Sequence, residues 1–160
     1  MAALDFDAFF VRVLPAVERV AGRVVGGGPA AEDCAVEALA RAYSRWPTVG
    51  SMERPEAWVL RVATNLALDT VRRKRTTQSL VPVGSRTDDV ELRQALVAAL
   101  RQLPKRQQEV VVLRYIADLA EPDVASALHM SLGTVKTHLR RAMPHLRTIL
   151  TSATGDAHAF

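Results

Sequence analysis

Lys136, Arg140 and Arg141 fall within one short stretch that also carries Ser131, Thr134, Thr137 and His138. Ammonium and guanidinium groups bind phosphate oxygens and guanine edges, and hydroxyls reach phosphates or bases. No acidic residue interrupts the stretch from Ser131 to Leu150. A second set, Trp58, Arg61, Asn65, Leu68, Arg72 and Arg75, recurs at helical spacing and ends in the basic run Arg72-Arg73-Lys74-Arg75. An indole stacks on an unpaired base, an amide bonds its edge, and guanidinium groups hold the flanking phosphates. A third set, Asp33, Glu37 and Arg41, repeats every four residues and would line one helix face. Each set also has a plainer reading. A basic helix in a bundle is often only solvated, Trp58 suits a core, and a basic run at a helix end complements the dipole.

The elements that must position these groups are helical. Phe6, Phe9, Phe10, Val13, Val17, Val20 and Val24 keep one face from about residue 6 to 25, with Asp5 as N-cap and Pro15 expected to kink or split the helix. Gly26-Gly27-Gly28-Pro29 breaks the chain. A second helix is expected over 30–45, a loop over 46–51, and a third helix from Pro55 to about Arg75. On the third helix Val59, Val62, Ala63, Leu66 and Thr70 form the expected core face, opposite the Trp58–Arg75 set. Residues 76–89 hold Pro82, Gly84 and Ser85 without periodicity and read as a flexible linker.

Helical spacing resumes at Leu92, Leu96, Leu100 and Leu103, stops at Pro104, and continues over 107–116. Two short helices follow, 122–128 and 132–142, joined by His129-Met130-Ser131. Leu132, Val135, Leu139, Ala142 and Leu146 form an apolar stripe, and Ala125 and Val135 have the ten-residue separation of a closely packed helix-turn-helix. Pro144 is expected to kink this last helix or end it at Met143. The expected fold is therefore all-α: two small helical domains, 1–75 and 91–150, joined by a linker over 76–90. The second domain is a helix-turn-helix, and a disordered tail follows over 151–160.

Composition agrees and excludes. Hydrophobic residues make up 49% of the 160 and aromatics only 5%, which favours packed helices over disorder or sheet. The net charge of +4 suits an anionic partner, weakly on its own. One cysteine, Cys34, permits no internal disulfide and reads as a small buried residue. His129, His138 and His145 lack a carboxylate or thiol cluster, so no metal or other cofactor is expected. No Gly-rich phosphate loop, nucleophile elbow or acid–base pair appears, so neither catalysis nor a small-molecule substrate is expected. No signal peptide or membrane-length apolar run is visible, which reads as a soluble, cytoplasmic chain without a membrane partner.

The residues from Tyr115 to Ala142, above all Gly133-Thr134-Val135-Lys136 and Leu139-Arg140-Arg141-Ala142, resemble the fourth domain of extracytoplasmic-function sigma factors. Leu103 to Arg114 resembles the segment preceding it, Ala31 to Tyr43 the second-domain helix that docks on the polymerase clamp, and Ala57 to Asp69 with the basic run the −10 element reader. The resemblance spans about Phe6 to Leu150. It implies a sigma factor of the sigma-70 family with core RNA polymerase and promoter DNA as partners, and in many members an anti-sigma factor. It implies −35 contacts from Ser131, Thr134, Lys136, Thr137, His138, Arg140 and Arg141, and −10 contacts from Trp58, Arg61, Asn65, Arg72, Arg73 and Arg75. It turns Asp33, Glu37 and Arg41 toward polymerase, and places the 46–52 loop near a captured −10 base. Two positions depart from the pattern: His129 stands where the family usually has glycine, and Pro144 interrupts a helix that the family often continues. A conventional helix-turn-helix regulator, binding a symmetric site as a dimer, remains the alternative, with a plain helical adaptor behind it.

Overall fold

The computed structural model describes residues 5–77 and 87–155, with side chains over 5–73 and 91–152. Every regular element among the described residues is helical. The first helix, α1 (Phe6–Val25), starts where the Asp5 carboxylate accepts from the Asp7 amide at 3.2 Å. It ends at Gly26, whose φ of 96° is a left-handed conformation that suits glycine. Pro15 does not split α1. Pro15 and Val11, whose carbonyl loses its helical partner, both face solvent, where water satisfies the freed oxygen.

The second helix, α2 (Gly28–Ser44), and α4 (Pro55–Thr77) pack with α1. Small side chains let the three axes approach: Ala21, Ala35, Ala38, Ala42, Ala63 and Ala67 have no exposed surface. Phe9, Val13, Val17, Val24, Leu39 and Val59 fill the space between them. The segment expected as a loop contains a short helix, α3 (Trp46–Val49). Its anchor is aromatic: Trp46 meets the Phe6 ring edge-on at 5.1 Å and the Phe9 ring at 5.0 Å. Gly50 closes the turn because a Cβ there would lie 2.8 Å from the Trp46 ring.

The remaining helices are α5 (Thr87–Gln102), α6 (Lys105–Val111) with a π-turn over Val112–Ile116, α7 (Glu121–Leu128) and α8 (Leu132–Gly155). They bury Leu100, Leu103, Val110, Leu113, Val124, Leu128, Val135 and Leu139. The last helix runs through Pro144 to Gly155, past the expected stop at Met143, so residues 151–155 of the expected tail are helical. As at Pro15, the proline and the residue four before it, Arg140, are exposed. Of the expected linker, 76–77 belong to α4 and 87–90 to α5, while 78–86 lie outside the described residues. The two groups of helices touch each other, with α7 and the π-turn packing on α4.

Leu39 is fully buried where α2 meets its neighbours. Leu39→Ala should lower the unfolding free energy by about 2–5 kcal/mol, measured by urea denaturation followed by circular dichroism.

Candidate nucleic-acid interface

The turn between α7 and α8 is built by three local devices. His129 adopts a left-handed conformation, φ 53° and ψ 46°, and its amide closes the end of α7. Met130 N–H then donates to the Ala125 carbonyl at 3.0 Å. Ser131 opens α8, its hydroxyl accepting from the Thr134 amide at 3.1 Å and lying 2.8 Å from the Thr134 hydroxyl. Behind the turn, Val124, Ala125 and Leu128 of α7 and Val135, Leu139, Ala142 and Leu146 of α8 are buried. Ala125 and Val135 both lie in this packed seam, as their spacing requires. Leu132, expected in the stripe, instead stays 40% exposed at the first turn.

The outward face of α8 carries the basic set. Ser131, Thr134, Lys136, Arg140 and Arg141 are exposed, and Thr137 and His138 are half-exposed. The Thr137 hydroxyl donates to the Gly133 carbonyl at 2.9 Å. His138 Nδ1 is buried without a hydrogen-bond partner. Arg147 is also exposed, on the continuous part of α8 beyond Pro144. The result is an unbroken helix with cations and hydroxyls on one side and a core seam on the other, the form that enters a major groove.

The face of α2 is equally open. Asp33, Glu37 and Arg41 are exposed, and Arg41 Nε donates to Glu37 Oε1 at 3.0 Å. This surface ion pair adds little stability. Cys34, next to Asp33 on α2, is buried and forms no disulfide, as a small packing residue would, with its Sγ 3.7 Å from the Thr70 hydroxyl of α4.

The α4 face differs from the sequence reading. Trp58, Arg61 and Asn65 are only half-exposed, and Leu68, placed by its spacing on the open face, is 3% exposed. Leu60 and Thr64, assigned to neither face, are buried as well. The cause is tertiary: α7 and the π-turn pack against this side of α4. Arg72 and Arg73 lie at its exposed end, and the side chain of Arg75 falls outside the described residues.

Sequence reasoning missed the ionic groups at this junction. Glu109 is buried, its side chain 3% exposed, between Arg61 of α4 at 3.5 Å and Arg106 at 3.2 Å. Arg54 reaches Asp123 at 3.4 Å, and Arg101 lies 3.3 Å from the Leu68 carbonyl and 3.8 Å from Asp69. Apart from the i,i+3 pair Arg106–Glu109, no local pattern marks these pairs, because their members lie 32 to 69 residues apart. Also missed was an open apolar groove of about 490 Å³ lined by Leu96, Leu100, Tyr115, Ile116, Met143 and Leu146. Leu96, Tyr115 and Met143 stay exposed along it, and no sequence pattern distinguishes them from core residues. Among the described residues no group of His, Cys, Asp or Glu could hold a metal ion, and no helix is long and apolar enough to cross a membrane.

Comparison with known proteins agrees with the helix-turn-helix geometry. Residues 9–77 match the family Sigma-70 region 2, and residues 93–146 match Sigma-70, region 4. The RNA polymerase sigma-E factor of Streptomyces coelicolor is 33% identical over 98% of this chain and 92% of its own length. The ECF RNA polymerase sigma factor SigW of Bacillus subtilis is 29% identical over 78% of each chain. The fold is shared with the sigma factor RpoE of Bartonella quintana, solved with the anti-sigma factor NepR. Its TM-score is 0.59 at 23% identity, covering 92% of this chain and 97% of that one. CnrH, solved with the cytosolic domain of CnrY, gives the same TM-score at 22% identity, covering 92% and 88%. A helical chain carrying these two regions in this order is a sigma-70-type protein. The chain belongs to the extracytoplasmic-function sigma factors of that family.

A left-handed conformation costs a β-carbon-bearing residue roughly 1–2 kcal/mol, and glycine returns about 0.4–1 kcal/mol of that as unfolded-chain entropy. His129→Gly should therefore raise stability by about 0.5–1 kcal/mol in thermal unfolding and leave α8 intact.

Proposed function

We propose that this chain is a promoter-selecting subunit of RNA polymerase, acting by binding and performing no catalysis of its own. It attaches to core RNA polymerase and directs initiation to promoters bearing −35 and −10 elements. The observation that carries this reading is the presence, in one chain and in order, of both sigma-70 regions, the second presenting an open basic recognition helix. A conventional regulator accounts for α7 and α8 but gives no reason for the region 2 match over residues 9–77.

Residues 1–75 form the polymerase- and −10-binding domain, 76–90 the linker, 91–150 the −35-binding domain, and 151–160 a tail. In the second domain Ser131, Thr134, Lys136, Thr137, His138, Arg140 and Arg141 meet the −35 duplex. Lysine and arginine neutralise phosphates or bond guanine edges, while the hydroxyls fix register. In the first, Trp58, Arg61 and Asn65 engage opened −10 bases, and Arg72, Arg73 and Arg75 hold the adjoining phosphates. Stacking yields roughly 1–3 kcal/mol per base, so a few captured bases offset much of the unpairing cost. The α2 face with Asp33, Glu37 and Arg41 docks on polymerase. Loading onto that enzyme places the chain in the cytoplasm. An anti-sigma factor is a third partner, a reading supported by the two solved relatives that each carry one.

Run-off transcription from a genomic fragment library, with core polymerase alone and with this protein added, tests the reading. Discrete new transcripts sharing a two-part upstream sequence are expected. Absence of new transcripts together with no association with core polymerase would reject it in favour of the conventional regulator. Arg141→Ala should weaken −35 duplex binding and reduce the slope of log affinity against log salt by about one, in fluorescence anisotropy titrations at several salt concentrations.

A further inference from the structure

The open groove of the C-terminal helices has two walls. One is a stripe along α8, where Met143, Leu146, Arg147, Leu150 and Thr151 recur every three or four residues. The other is built from Leu96 and Leu100 of α5 with Tyr115 and Ile116 of the π-turn. Leu96, Tyr115 and Met143 are all more than a third exposed, so the groove presents apolar surface to water. Among the described residues Arg147, exposed at its edge, is the only charged one in the lining.

The chain that follows α8 has the composition and the length to fill this groove. Helix α8 ends at Gly155, and the 3.6-residue period carries the groove stripe on to position 154, so the chain leaves the helix beside the groove. Glycine is the residue that most readily turns a chain back at a helix end. The next five residues, Asp156-Ala157-His158-Ala159-Phe160, hold one large apolar side chain and one acid, the first after Asp123. Five extended residues span about 17 Å. Measured back from Gly155 along α8, Leu150 lies at about 8 Å, Leu146 at about 14 Å and Met143 at about 18 Å. Phe160 therefore reaches the first two, and Met143 marks its limit. Charge favours the same path, because α8 carries Arg147 at the groove edge and no acid from Ser131 to Leu150, while the returning segment brings Asp156. We propose that Phe160 folds back into the groove against Leu146, Leu150 and Tyr115, so that the chain covers its own apolar surface until a partner displaces the ring. A second copy of the chain fits less well. Three exposed apolar side chains fall far short of the roughly 20–30 residues a side that a stable protein interface takes, whereas one aromatic ring needs no more. Tethering supplies the rest: a short connection holds the ring at an effective concentration in the millimolar range, so a contact too weak to retain a free peptide stays mostly filled. A partner that needs the groove then binds in proportion to the fraction left open. The proposal does not depend on promoter selection.

The test uses the full chain with 4-fluorophenylalanine introduced at position 160 alone, and reads its fluorine resonance at several protein concentrations. In the native protein the resonance should be broadened and shifted from its position in urea, by an amount independent of concentration. Tyr115→Ala removes an exposed part of the groove wall, and Asp156→Lys reverses the charge of the returning segment. Each should move the resonance back toward the urea position. His145→Ala, an exposed position on the opposite side of α8, should leave it in place. In unlabelled protein, Phe160→Asp should raise the fluorescence of anilinonaphthalene sulfonate, a dye that reports exposed apolar surface, with the circular dichroism unchanged. A native resonance at the urea position would overturn the proposal and leave the groove to a separate protein. A shift that grows with concentration, together with a dimer in sedimentation velocity, would overturn it in favour of a second copy. A shift that both Tyr115→Ala and Asp156→Lys leave untouched would place the ring elsewhere and overturn it as well.

Discussion

The structure depends on α4 being buried on more than one side. A helix that serves two packing surfaces needs small residues where neighbours press closest and larger ones where they interlock. Ala57, Ala63 and Ala67 meet the first need, and Val59, Leu60 and Leu68 the second. Thr64 is buried too, and its hydroxyl is satisfied within the helix by donating to the Arg61 carbonyl at 3.0 Å. With α4 held in this way, α1 and α2 are set at close range on one side. The helix-turn-helix group finds its seat on another.

Charge is distributed around this framework with little waste. Glu109, the buried carboxylate of the C-terminal helices, lies between two guanidinium groups, and an unpaired carboxylate there would cost several kcal/mol. The exposed cations of α8 and the exposed acids of α2 have no such constraint. They stay solvated, and both their affinity for a charged partner and their sensitivity to salt follow from that.

Much of this was legible from local pattern. The α1 stripe Phe9–Val13–Val17–Val20–Val24 is buried as its spacing predicts, because a helix on a core surface must repeat its apolar positions every three or four residues. The α7–α8 unit was equally legible: Ala125, Val135, Leu139 and Ala142 lie in the seam and the basic residues lie outside it. The prolines misled. Pro15 and Pro144 remove one hydrogen bond each, but both positions face water, so neither helix ends there. The segment 46–51 was read as a loop because Pro47 and Gly50 punctuate it. Aromatic packing of Trp46 on Phe6 and Phe9 holds four of its residues in a helical turn.

By itself the sequence determined the longer helices, the buried stripe of α1, the α7–α8 seam and the presence of a basic recognition helix, though not the short α3 nor the buried side of every helix. Those properties follow from composition and periodicity over a few turns. It also determined family membership, through two motifs in order. Only the tertiary structure decided which side of α4 is open. Arg61 meets Glu109 of α6, the Leu68 carbonyl meets Arg101 of α5, and α7 and the π-turn pack on α4, all from segments more than thirty residues further along the chain. Local spacing says that a helix has two faces. Whether a distant part of the chain comes to rest on the second is set by complementary shape and charge across the junction, and no window of sequence contains both halves of that match.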